Sequence, residues 1–222
     1  MLSRSNVFDE SAIAGRGRID AYQLDNVGLP VTCTPTSNVN ARAPEGRMPF
    51  AFTFGDSGQL LMAEVLGRPS NPFSPLFASA VSSYTIRADG SLGVITASLG
   101  NGQSASCWIV RSDRFVYTSN FASDSISRYR VQKNGALVLE DATAAQVGPG
   151  LPAATPDNPP AFALDMDLSV DGRFLYLLTP GISAIHAFFV NPGTGKLIPR
   201  QVVHYVEDPF SQYAGMATAQ FE

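Results

Sequence analysis

With 222 residues and 45% apolar composition the chain can bury a sizeable core, which excludes bulk disorder and makes one globular domain the default. A formal charge of −4 and a sequence pI near 5.1 supply no basic field to attract phosphate backbones or anionic lipid, so neither nucleic acid nor a membrane is an expected partner. Apolar runs are cut well short of the roughly 20 residues of a membrane helix, the first residues lack an apolar core of signal-peptide length, and Cys33 and Cys107 have no neighbour at metal-ligand spacing. Together these predict a cytoplasmic protein without a disulfide framework.

Glycine (19) and proline (16) punctuate short segments rich in Val, Ile, Phe, Tyr and Thr. Period-two alternation outweighs any helical period, so the predicted class is all-β. The first clear unit, "IDAYQLDNVGLP" from Ile19 to Pro30, places an aromatic three residues after an aliphatic, a second aliphatic two later, and then a polar turn with Gly. The frame recurs in "VSSYTIRADGSL" (Val81 to Leu92), "ISRYRVQKNGAL" (Ile126 to Leu137) and "IHAFFVNPGTGKL" (Ile185 to Leu197). Alternation puts Tyr84 and Ile86 on one face of a strand, and Asp89-Gly90 or Asn134-Gly135 supplies the hairpin turn.

A second element precedes three of these copies: "PFAFTFGDSGQLLMAE" from Pro49, "ASCWIVRSDRFVYTSN" from Ala105 and "ALDMDLSVDGRFLYLLT" from Ala163. Each reads as a strand, a turn at Asp56, Asp113 or Asp171, and a second strand. Four strands repeated at intervals of roughly 45 to 60 residues are the pattern of β-propeller blades. The predicted division is a partial blade at 1–48 and whole blades at 49–104, 105–162 and 163–222. A closed ring usually needs four to eight blades, so this is a partial propeller.

The stretches "RFVYTSNFASDSISRYRVQKNGAL" and "SVDGRFLYLLTPGISAIHAFFVNPGTGKL" resemble the blade repeat of the seven-bladed lactonase family, which includes propeller-type 6-phosphogluconolactonases and 3-carboxy-cis,cis-muconate cyclases. "NGQSASCWIV" and "YAGMA" resemble the 3-carboxymuconate cyclase branch. The resemblance runs from Ile19 to Ala217 and implies the C-terminal part of such a propeller, acting on a small lactone or carboxylate by acid–base chemistry without a cofactor. The ring would be completed either by a missing N-terminal half or by a second copy in a homodimer. One departure is local: "RSDRFVY" lacks the Gly of the family's "PDGR" turn, which predicts an altered turn there.

Glu64, Asn120 and Thr179 fall in one repeated slot at the end of the second strand, where a side chain can look towards the central pocket. "LLMAE" resembles the family's "vsE" strand end, and Arg68 is the nearest cation for an anionic substrate. Lactone opening needs a proton donor or acceptor and a partner for oxyanion charge, so Glu64 and Arg68 are the catalytic candidates. The structural alternatives are a solvated strand end for Glu64 and a turn former for Asn120. Ligand-binding candidates are Asn120, Trp108, which would stack on a planar ligand or pack between blades, and Asp165, which would otherwise bind backbone amides of a neighbouring blade.

Asp165 and Asp167 share one strand face, but the loop spacing of oxygen ligands is absent, so no metal site is expected. His186 and His204 are not paired in sequence and read as surface residues. "GRGR" (Gly15 to Arg18) and "GNGQ" (Gly100 to Gln103) lack the strand-to-helix setting of phosphate loops. The Pro-rich 148–160 stretch reads as a long connection between blades, either a solvated loop or part of a lid or partner surface.

Overall fold

The structure, a computed structural model, describes residues 2–4, 18–21, 25, 27, 37–40, 48–65, 79–88, 90–206 and 215–219. Its regular elements are β-strands with three short 3-10 turns. Strands β1 (Leu2–Arg4), β2 (Arg18–Ala21) and β3 (Ser37–Asn40) form a three-stranded sheet. Three four-stranded antiparallel sheets follow, each in simple sequence order. The first contains β4 (Met48–Phe54), β5 (Leu60–Val65), β6 (Ser79–Ile86) and β7 (Leu92–Gly100). The second contains β8 (Ser106–Ser112), β9 (Phe115–Asn120), β10 (Ser125–Val131) and β11 (Leu137–Gln146). The third contains β12 (Met166–Leu168), β13 (Phe174–Thr179), β14 (Ala184–Val190) and β15 (Leu197–His204).

The leading strands β4, β8 and β12 adjoin one another, β8 touching both of the others. They are therefore the inner strands of sheets that fan out like blades, as expected for part of a propeller. Alternation decides what lies between the sheets. Leu61, Ala63 and Val81 point forwards and meet Ile109, Val116, Tyr129 and Leu137 of the next sheet. Phe115, Tyr117 and Ile126 in turn meet Met166, Leu175, Leu177 and Phe188. The second four-stranded sheet thus packs through both faces, and at about 25 cal/mol per Å² of apolar surface these interlayer clusters supply the main drive for stacking.

The turns follow from residue chemistry. In the β4–β5 and β12–β13 turns the left-handed position is filled by Gly58 (φ 75°) and Gly172 (φ 67°), which bear no Cβ penalty. In the β8–β9 turn Asp113 takes that conformation itself at φ 52°, the alteration predicted from its missing glycine. Asp tolerates the left-handed region better than most residues.

The 147–163 connection is held down at several points. Asp124, itself left-handed at φ 51°, is fully buried. Its Oδ2 accepts from the backbone N–H of Gly150 (2.9 Å) and Ala161 (2.8 Å), and its Oδ1 from that of Phe162 (2.6 Å). Phe162 also stacks on Phe121 with ring centroids 4.6 Å apart. The connection is thereby tied to the end of the β9–β10 hairpin. No helix of the described residues is long and apolar enough to cross a membrane.

Candidate functional site

The register places Glu64 opposite Ala80, Asn120 opposite Ser125, and Thr179 opposite Ala184. In each sheet this pair lies four residues along from an aliphatic–aromatic pair: Leu60–Tyr84, Val116–Tyr129 and Leu175–Phe188. The three polar residues thus share a backbone slot and point towards the preceding sheet. All three are fully buried.

Glu64 is the most unusual of the three. Its carboxylate turns away from the inner strand and across β6 towards the outer strand β7. There the Ser98 hydroxyl donates to Oε2 at 2.5 Å, and the Tyr84 hydroxyl lies 3.4 Å from Oε1. Burial raises the carboxyl pKa above its ordinary value, against the lowering effect of the Ser98, Ser82 and Tyr84 hydroxyls. Burial and the adjacent carboxylate raise Tyr84 in the same way. The site therefore holds a proton more tightly than an exposed glutamate would.

Ser98 reaches Glu64 because β7 is irregular at that point. The β6–β7 register shifts between Val81 and Ser83 and again between Ser83 and Tyr84. Ser98 sits at φ 37°, and its backbone N–H donates to Ser82 Oγ at 2.8 Å. A bulge of this kind re-aims a side chain, and a non-glycine residue at positive φ is held there by its surroundings. Ser98 is half-buried, while Glu64, Tyr84 and Ser82 are buried.

Asn120 is bonded on every side. Its Oδ1 accepts from Ser106 Oγ (2.7 Å) and Asn101 Nδ2 (3.0 Å), while its Nδ2 donates to Ser125 Oγ (3.0 Å) and Ser127 Oγ (2.9 Å). Asn101 also donates to Ser127 Oγ at 3.1 Å, and Gln103 Oε1 accepts from Ser125 Oγ at 3.0 Å. This neutral network ties β8, β9 and β10 to the 101–103 connection, and the Ser106 N–H, which donates to Ser79 Oγ on β6 at 2.7 Å, links it to the preceding sheet. Trp108 lies half-buried on β8, edge-on to Phe50 with centroids 5.6 Å apart. It packs among Val65, Ala105, Cys107, Ala122 and Leu164. Burial pushes the Cys107 thiol up to about 12, so it behaves there as a small apolar group.

Asp165 is buried, and its carboxylate is taken up by main chain: Oδ1 accepts from Met166 N–H (2.7 Å) and Oδ2 from Met216 N–H (2.5 Å). Asp167, on the same face, accepts from Thr218 N–H at 2.6 Å and Thr218 Oγ1 at 3.0 Å. Two carboxylates two residues apart therefore hold two amides two residues apart, and segment 215–219 runs beside β12. Burial raises Asp165, with the two amides opposing that shift. His186 on β14 is lowered by burial and by His204. No group of three or more metal-ligating side chains occurs among the described residues.

The structure therefore gathers Ser82, Tyr84 and Ser98 around Glu64, and separates this cluster from Asn120, Trp108 and Asp165, each of which is engaged with other partners. Arg68 lies outside the described residues. Sequence reasoning missed Ser98, Asn101 and Asp124. The cue for Asp124 was available: an acid just after the hairpin 3-10 turn of residues 121–123, where the next sheet has Ser183 at the same left-handed position.

A family model described as "Lactonase, 7-bladed beta-propeller" matches residues 77–209. No curated protein matches the sequence. Among solved structures, a candidate 6-phosphogluconolactonase from Bacteroides uniformis is 18% identical, with a TM-score of 0.60 over 81% of this chain and 47% of that one. The periplasmic gluconolactonase PpgL of Pseudomonas aeruginosa is 22% identical, with a TM-score of 0.59 over 88% of this chain and 52% of that one. A functionally unknown protein from Desulfotomaculum acetoxidans is similar at 14% identity and a TM-score of 0.55, over 82% of this chain and 49% of that one. At these identities the likeness is one of fold, and the chain spans about half the length of each of these structures. The stacked four-stranded sheets and the match over more than half of the sequence agree: the chain belongs to the seven-bladed β-propeller lactonase family.

Proposed function

We propose that the protein takes part in lactonase-type chemistry on a small carboxylated lactone, with Glu64 as the acid–base group. The observation that carries this reading is a buried, hydroxyl-lined carboxyl whose pKa is raised by burial, a setting that favours a carboxyl able to hold and give up a proton. In hydrolysis, water adds to the lactone carbonyl carbon, the ring C–O bond breaks, and the leaving alkoxide takes a proton. Glu64 donates that proton in its neutral form and accepts one from water when ionised. Arg68, four residues further on in the chain, is the cation assigned to the substrate carboxylate. A muconate-type cycloisomerase would instead add a substrate carboxylate oxygen across a C=C bond to close the ring, with neutral Glu64 delivering the proton to the adjacent carbon and Arg68 holding a second carboxylate. The cytoplasm is the proposed compartment, in keeping with the unpaired Cys107 thiol.

The test is a pH-stat assay of the purified chain against gluconolactone, its 6-phosphate and a carboxymuconolactone. Glu64→Gln is expected to lower kcat/KM by about 10² to 10⁴ on whichever lactone is turned over. Undiminished activity in Glu64→Gln would remove Glu64 from the mechanism. The second reading, a non-catalytic propeller that binds a ligand or protein, is favoured by the complete internal bonding of Asn120. Turnover of none of the three lactones would leave that reading standing.

A further inference from the structure

The ends of the sheets opposite Glu64 carry a second concentration of charge. Glu64 closes β5, whereas the turn before β5 borders a cleft of about 580 Å³ that also takes in the β8–β9 turn and the end of β10. Its charged lining consists of Arg111, Arg114, Arg130 and Lys133 against Asp56 and Asp113. The whole chain is acidic, with 15 Lys and Arg against 19 Asp and Glu. Four cations and two acids in one concavity, a surplus of two, run against that background.

The four cations are not equally committed. Arg111 is a fixed wall: it pairs with Asp56 Oδ1 at 2.7 Å, and its Nε donates to the Phe54 carbonyl at 2.8 Å. A further bond from Arg111 goes to the Asp113 carbonyl oxygen at 2.5 Å. Arg130 meets Glu140 Oε1 at 2.7 Å, but Glu140 also serves Arg128 at 3.4 Å, so one carboxylate answers two guanidiniums. Arg114 donates to a neutral acceptor, the Gly193 carbonyl (3.0 Å), and lies 5.2 Å over the Phe115 ring. Lys133 is exposed and within ion-pair distance of no acid among the described residues.

Such a set presents a surplus of positive charge to the cleft. Concave walls with one excess sign focus the field on whatever enters, and planar guanidiniums offer forked donors to phosphate or carboxylate oxygens. The volume suits a small molecule, since ligand sites run from about 300 to 1,000 Å³. We propose that this cleft binds a small anion carrying two or more negative charges, gripped by Arg114, Arg130 and Lys133 against the fixed Arg111. The site lies at the opposite end of the strands from Glu64 and does not depend on the lactonase reading.

Calorimetric titration of the full chain at low ionic strength tests it, with pyrophosphate and citrate as separate probes. Saturable one-to-one binding of either is expected, weakening steeply with added salt. Whichever probe binds tells phosphate from carboxylate chemistry. The double variant Arg114→Gln/Lys133→Gln should weaken binding about tenfold, since each exposed charge contact is worth a few-fold. Arg130→Gln, which leaves Glu140 with Arg128, should weaken it less, and Arg200→Gln on β15 serves as the charge control. Glu64→Gln should leave it unchanged. Absence of saturable binding by both probes, or a double variant no weaker than Arg200→Gln, overturns the site.

Discussion

Asn120 and Glu64 occupy the same slot in neighbouring sheets, four residues along from the same aliphatic–aromatic pair, and solve the burial of a polar group in opposite ways. Asn120 is neutral and can both donate and accept, so four partners saturate it. Glu64, when ionised, can only accept, and the described hydroxyls around it do not offset the loss of water: its pKa remains raised. The repeat fixes the place of the side chain. Its hydrogen-bonding inventory then decides whether the slot holds two sheets together or holds a proton.

Breaking the saturated member should have the largest effect. Asn120→Ala removes four bonds at once and leaves Asn101, Ser106, Ser125 and Ser127 short of partners in a dry site. A loss of about 3 kcal/mol is expected in urea denaturation, nearly the same at acid and neutral pH because no ionisable group is removed. A loss below about 1 kcal/mol would mean that water enters and repairs the network.

The charged member should behave with the opposite sign. With a folded-state pKa above the ordinary 4.5, Glu64 favours the folded state fully only below the unfolded value, and that contribution is lost as pH rises through the folded pKa. Glu64→Gln keeps an oxygen for Ser98 and cannot ionise. It should therefore match the wild type near pH 4 and exceed its stability at higher pH, by on the order of 1 kcal/mol, with a gap that widens as pH rises. A gap that narrows with pH would show that the site stabilises the anion instead.

Ser98 sharpens the contrast, because the bulge that delivers it has no counterpart at positive φ in β11. Ser98→Ala removes the donor but keeps the strained backbone, at an expected cost of about 1 kcal/mol. Ser98→Gly also removes the donor and relieves the conformation, so it should be the more stable of the two by roughly 0.5 kcal/mol. In both variants the Glu64 titration, followed by NMR, should move further up, since Ser98 is the first of its lowering influences.

The legible part of this protein is what the repeat writes locally. Alternation, Asp-containing turns and the Tyr84, Tyr129 and Phe188 frame gave the strands and the equivalence of Glu64, Asn120 and Thr179 directly from spacing. The glycine missing beside Asp113 marked an altered turn. What sequence could not show depends on register between strands or contact between sheets. Ser98 meets Glu64 across 34 residues through a bulge, and Asn101 meets Asn120 from the connection that follows β7. The direction of the Glu64 side chain was likewise hidden, because a strand end fixes where the Cα lies but not which hydroxyls draw the carboxylate outwards.

Thr179 is the mildest occupant of the slot and so tests whether the slot itself demands a polar group. Its hydroxyl makes one bond, donated to the Ala184 carbonyl at 2.9 Å, in a fully buried position. Thr179→Val keeps the shape and the β-branch suited to β13, and removes only that donor. The Ala184 oxygen loses one of its partners, so a cost of about 0.5 to 1 kcal/mol is expected in urea denaturation, without pH dependence. A cost approaching that of Asn120→Ala would mean that the slot requires hydrogen bonding wherever it recurs. A small cost would instead make the polar character of Glu64 and Asn120 a property of those two sheets, one spent on joining blades and the other on retaining a proton.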